Sequence, residues 1–310
     1  MKKYFKNIGL ILALIHFLAC SPYEEFITDF DFSIVYFGTQ RPLRTIVAYD
    51  DMNFKVGVAL GGKRTNEVNE IVEFEVDPSL LSDSDIVGNN EFELLPQEYY
   101  AFSNDVMVVN AGTFIGDVTV TLNRDAFTDD PLATGNHYAL PIRITNTSTD
   151  SVAVGVFDET GNAITAPKDY TIVVVKYISP LHGTYYKQGI QVEVGNDGEV
   201  IGEEEYNNPD IIRNPTWNLA TINRFSVSTS GVGTFGNVAL ILSLDEESNE
   251  VSVSSESPGI FGLSGTGTYD PENRTFDLEY SFQREGRQYE VTELLTIRQA
   301  PENDLRFEEW

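Results

Sequence analysis

Residues 94–123 read LLPQEYYAFSNDVMVVNAGTFIGDVTVTLN, and residues 137–149 read HYALPIRITNTST. In the first stretch Val118, Val120 and Leu122 alternate with Thr119, Thr121 and Asn123. In the second, Leu140, Ile142 and Ile144 alternate with Pro141, Arg143 and Thr145. A period of two puts the apolar set on one face of an extended chain, so both stretches predict half-buried strands.

Working outward, residues 26–38, 45–49, 54–60 and 71–76 predict further strands. They are divided by turns such as DDMN and GGKRTNEVN. Residues 170–177, YTIVVVKY, are apolar on both faces, which predicts a central strand. Short strands with turns between them and no helix longer than two turns predict an all-β chain. Residues 26–178 read as an immunoglobulin-like β-sandwich. ISPLHG, with Pro180 and Gly183, marks a junction. Residues 179–310 read as an antiparallel meander, either a lipocalin-like barrel or a second sandwich. Its strands are expected at 185–194, 199–201, 225–228, 238–244, 251–254, 263–269, 275–282 and 289–297. Residues 202–217, GEEEYNNPDIIRNPTW, read as the longest irregular segment.

Composition narrows the function. The chain has 310 residues, 20 Lys+Arg against 48 Asp+Glu, and a net charge of −28. Such a surface repels nucleic acid, anionic membranes and polyanionic glycans. Neutral sugars, cations and other proteins remain as partners. The one cysteine, Cys20, rules out an intrachain disulfide. Lys2, Lys3 and Lys6 precede a short apolar run ending FLAC, which has the dimensions of a signal segment rather than a membrane span. Residues 1–19 are therefore expected to be a lipoprotein signal peptide. Cys20 is the expected acylated residue, and residues 20–25 the tether. The expected address is the outer membrane, lipid-anchored and facing the cell exterior, with the lipid as the sole membrane contact.

Leu95, Pro96, Tyr99, Gly112, Gly116, Leu140 and Pro141 carry a family pattern. Over residues 26–177 the chain resembles domain of unknown function 1735, the amino-terminal domain of many Bacteroidetes surface lipoproteins. LHGTYYKQG and GTGTYDPENRTFDLEYSF, within residues 181–310, resemble more loosely the β-rich domain that often follows it. Glu24 and Glu25 resemble the acidic export signal of that group. The resemblance implies a non-catalytic glycan-binding or accessory role in polysaccharide uptake, beside outer-membrane importer components. Asp150-Ser151-Val152 matches the group's short O-glycosylation pattern, making Ser151 a candidate acceptor.

Binding residues are sought among aromatics, because the apolar face of a sugar stacks on an electron-rich ring. Trp217, Tyr206, Tyr186 and Trp310 are the candidates. For Trp217 the structural alternative is a plug in the second unit, and for Trp310 a terminal latch. No catalytic constellation and no metal site is expected. His137 and His182 lack zinc spacing and read as structural or exposed. Gly231, Gly233 and Gly236 spell G-x-G-x-x-G, but NVALILSL after them is strand-like, so they read as a glycine-rich hairpin rather than a phosphate loop. Residues 83–85 and 129–130 offer oxygen ligands without EF-hand spacing and read as solvated loops. No cofactor is expected, with calcium left open. Two rival functions stand: a structural or adhesive protein presenting a protein-binding β surface, and a glycoside hydrolase with an unrecognised carboxylate pair.

Overall fold

The computed structural model describes residues 32–161 and 163–310. The signal peptide, Cys20, the tether and the start of the first expected strand lie outside the described residues. No described helix is long and apolar enough to cross a membrane.

Residues 34–178 form a two-layer sandwich. One sheet runs in the order Ser151–Val152, Ile34–Phe37, Asn53–Gly61, Ile115–Leu122, Tyr100–Phe102. The facing sheet runs Glu308–Glu309, Pro42–Val47, Tyr170–Ile178, Tyr138–Thr147, Glu70–Val76, Val106–Val109. The alternation in the opening stretches is what fills the space between them. Val118, Val120 and Leu122 of one sheet meet Leu140, Ile142, Val173, Val175 and Tyr177 of the other. The Tyr170–Ile178 strand is covered on its second face too. There Ile172 and Val174 pack with Leu80 and Val87 of two short helical turns, and with Trp310.

The second unit is a closed barrel. Eight of the nine strands in its sheet form the ring: Gly183–Val194, Thr216–Asn223, Ser226–Ser228, Ile241–Leu244, Glu250–Ser254, Phe261–Asp270, Thr275–Arg284 and Arg287–Ile297. The ring closes where the first pairs with the last, from Tyr185 against Ile297 to Val194 against Gln288. The ninth strand, Val200–Tyr206, hangs on the far half of Gly183–Val194. This decides between the two expected architectures in favour of the barrel.

Two boundaries differ from expectation. Much of the segment read as irregular is strand: Val200–Tyr206 and the start of Thr216–Asn223. The final residues also leave the barrel. Glu308 and Glu309 pair with Leu43 and Pro42, capping an edge of the sandwich. Trp310 sits edge-on to Phe92 at 4.8 Å, donates Nε1–H to Ile172 O at 2.8 Å, and lies under the Arg41 guanidinium. Trp310→Ala is expected to cost the sandwich about 2 kcal/mol, less than a fully buried Trp. Chemical denaturation followed by sandwich tyrosine fluorescence checks it.

The two ends of the sandwich are distinct. Phe32 O lies so close to Gly62 that a Cβ there would approach it to 2.2 Å, and Gly62 has φ +83°. Gly62 follows the end of Asn53–Gly61. At the other end of that strand, Asp50 pairs with Arg224 of the barrel at 3.7 Å. The chain therefore enters the sandwich roughly 26 Å from the barrel junction, the span of a nine-residue strand.

Candidate functional site

Two places in the barrel carry chemistry. The first is inside it. On Gly183–Val194 the side chains of Tyr185, Lys187 and Gln191 are buried, and on Arg287–Ile297 those of Tyr289, Val291, Glu293 and Leu295. Closure of the ring places Gly189 opposite Glu293, and the outer strand places Tyr206 opposite Gly189. Glycine in the middle of that rung leaves room, so Tyr206 reaches across and donates its hydroxyl to Glu293 Oε1 at 2.5 Å. Tyr280 donates to Glu293 Oε2 at 2.9 Å. Lys187 Nζ lies 3.8 Å from Glu293 Oε1, 4.2 Å from the centroid of Tyr206 and 4.6 Å from that of Trp217.

The glycine-rich hairpin closes over this cluster. Gly231–Val232 pairs with Phe235–Gly236. Lys187 Nζ donates to Gly233 O, and Gly233 N–H donates to the Tyr280 hydroxyl. A Cβ at Gly231 would sit 2.8 Å from Trp217 Nε1, and one at Gly233 2.0 Å from Gln191 Oε1. Close approach to the barrel lining is what the glycines permit. The motif holds a hairpin, as its flanking strand pattern predicted.

Burial raises the Glu293 carboxyl to about 7, against the pull of Lys187 and the two phenol donors. Burial also lowers the Lys187 ammonium, with Glu293 opposing. Burial and the adjacent carboxylate push the Tyr206 and Tyr280 phenols up. The cluster reads chemically as a satisfied polar core that pins the hairpin to the barrel wall.

The second place is outside. Ile241–Leu244, Glu250–Ser254, Phe261–Asp270 and Thr275–Arg284 form a groove of about 800 Å³ on the barrel surface. In-register pairing lines up Glu250, Thr268 and Asp277 across three strands, and Ser252, Thr266 and Glu279 beside them. Ser243 and Asp245 extend the row. The groove is a lattice of hydroxyls and carboxylates, which accept and donate hydrogen bonds to polyols without a stacking ring.

The expected site residues fall as follows. Trp217 is 6% exposed, with its faces against Lys187 and the hairpin. Trp310 is covered by Phe92 and Arg41. Neither presents a ring face to a sugar, so the stacking expectation for these two is corrected. Tyr206 is tied to Glu293. Tyr186 lies half-buried on the same strand as buried Tyr185, and away from the groove. Ser151 is exposed on a strand held to Ile34, with Asp150 accepting from Ser33 N and Oγ at 2.7 Å. Asp83 and Asp130 cap helical turns, and Asp130 also accepts from Tyr99 and Tyr138. His137 packs on Tyr138, while His182 sits at the junction beside Thr221. The groove residues were missed because Ser, Thr and carboxylates alternating on a meander look like any solvated face.

A family model described as an N-terminal domain matches residues 30–151. No curated protein matches the chain. Among solved structures the chain is similar to a protein of unknown function from Bacteroides ovatus, at 22% identity and a TM-score of 0.76, covering 90% of this chain and 98% of that one. It also aligns with a multidomain protein from Bacteroides ovatus that includes domain of unknown function 1735, at 12% identity and a TM-score of 0.42, covering 90% of this chain and 100% of that one. A candidate carbohydrate binding protein from Bacteroides ovatus aligns at 13% identity and a TM-score of 0.31, covering 86% of this chain and 98% of that one. Of these three, the first is similar enough in shape to show a shared all-β fold.

Proposed function

We propose that this chain is a non-catalytic, lipid-anchored glycan-binding protein of the outer membrane, and that the groove on the barrel takes a neutral oligosaccharide. The observation that carries the reading is the lattice of Ser243, Ser252, Thr266, Thr268, Glu250, Asp277 and Glu279 across four strands. Its carboxylates accept sugar hydroxyl protons, and its hydroxyls do both. The sandwich supports the reading as a spacer, since the chain enters it at the end remote from the barrel. The groove carboxylates are solvent-exposed, whereas a glycosidase acid needs a desolvated carboxyl to stay protonated. Outer-membrane importer components are the partners this reading implies.

The test is retention of residues 21–310 on a panel of neutral polysaccharides. Asp277→Asn with Glu279→Gln should weaken a retained glycan about tenfold or more, the loss of two charge-assisted hydrogen bonds. The thermal midpoint should stay unchanged. A folded protein that retains no glycan, or binds as well with both changes, sinks the groove.

A second reading, presentation of a protein-binding surface, rests on one hairpin. Val156–Phe157 pairs with Ala163–Thr165, and Val154, Val156, Phe157 and Ile164 are each more than half exposed. Loss of a co-purifying membrane partner in Phe157→Ser/Ile164→Ser, with glycan retention intact, would favour it.

A further inference from the structure

The junction between sandwich and barrel holds a cleft of about 360 Å³, roofed by the returning tail. Pockets at such junctions are common ligand sites, and this one matches a ligand of one or two sugar-sized rings. Its chemistry is the reverse of the rest of the surface. The chain carries a net charge of −28, yet Lys176 of the sandwich and Arg306 of the tail both line this cleft. Among the described residues, no carboxylate lies within 4.0 Å of either cation. Elsewhere cations are neutralised: Arg143 holds Asp77 and Asp169, and Arg274 holds Glu302. Glu308 is the one carboxylate lining the cleft.

Neutral donors complete the wall. Thr184 Oγ donates to Asn218 Oδ1 at 2.9 Å, so the Asn218 carboxamide turns its amino group away from that bond. His182 Nδ1 accepts from Thr221 N–H at 3.3 Å, which leaves the ring proton on Nε2. Thr45, beside Lys176 in register, adds a hydroxyl. Two cations and several N–H and O–H donors converge on one concavity, a donor-rich setting for an oxyanion.

We propose that this cleft binds a small oxyanion-bearing sugar, carboxylate or phosphate, clamped between Lys176 and Arg306. The site is separate from the outer groove and does not depend on the glycan reading. Its walls come from both units and the tail, so an occupied cleft ties the three together.

Calorimetric titration of residues 21–310 with glucuronate, glucose 1-phosphate, inorganic phosphate and glucose tests it. One or more of the charged probes should bind and raise the thermal midpoint, with affinity falling several-fold as salt is raised. Glucose should not bind there. Glucuronate without the phosphates identifies a carboxylate ligand, and the converse a phosphate. Lys176→Gln/Arg306→Gln should lower affinity at least tenfold, with the ligand-free midpoint unchanged. Asn218→Asp is near-isosteric, keeps the acceptor for Thr184 and adds a negative charge to the wall, so it should act alike. No binding of any charged probe, equal binding of glucose, or full binding by these variants overturns the proposal.

Discussion

Lys187→Ala is expected to destabilise the barrel by about 3–5 kcal/mol, the cost of removing one partner from a buried ion pair. Lys187 is 5% and Glu293 0% exposed at the side chain. The truncation also frees Gly233 O of its donor and empties the space between the Tyr206 and Trp217 rings. Lys187→Met with Glu293→Leu should recover most of the loss, because no charge is then left buried. Urea denaturation of the three proteins reads this. A double variant no better than Lys187→Ala would mean the hairpin contacts, not the charges, dominate.

The same cluster sets a pH dependence with a definite sign. Burial raises Glu293 from the ordinary 4.5 to about 7. The folded state therefore keeps this proton to higher pH than the unfolded chain. Its contribution is complete below pH 4.5 and is lost as pH rises through 7. Glu293→Gln has no such proton. The stability of the natural protein relative to Glu293→Gln should fall by about 3 kcal/mol between pH 4.5 and 8. A difference that stays flat across that range would show that the carboxyl does not sense the fold.

Trp217→Ala is the second large effect, about 3–5 kcal/mol for a buried indole that leaves a cavity. It opens the space that Gly231 was kept small to share, and removes one wall of the lysine cage. Glycan retention at 10 °C, where the variant stays folded, should be unchanged. A variant that keeps its stability and loses glycan would return Trp217 to the ligand site.

Trp217 also shows what sequence reading can reach. Thr216–Asn223 alternates exposed Thr216 and Asn218 with buried Trp217 and Leu219. That period was present in the sequence, but an aromatic beside a supposed loop drew a ligand interpretation instead. The core strands were legible because one face of each is apolar. The Val200–Tyr206 strand was not. It lies at the sheet's edge with both faces wet, so Glu203, Glu204 and Glu205 follow one another without a pattern. Lys187 and Glu293 are separated by 106 positions, and only the closing register of the ring makes them neighbours. A charge inside an otherwise apolar alternation was the available signal at Glu293, between Val291 and Leu295. The outer groove depends likewise on three strands meeting in register.

The pairing of Glu308–Glu309 with Pro42 and Leu43 makes the order of synthesis matter. A ribosome delivers residues 42–47 early and their edge partner last, so during export the sandwich carries an open flank until the barrel has followed. A truncated or proteolytically trimmed chain keeps that flank exposed, and Trp310 acts as a completeness seal that separates finished molecules from fragments.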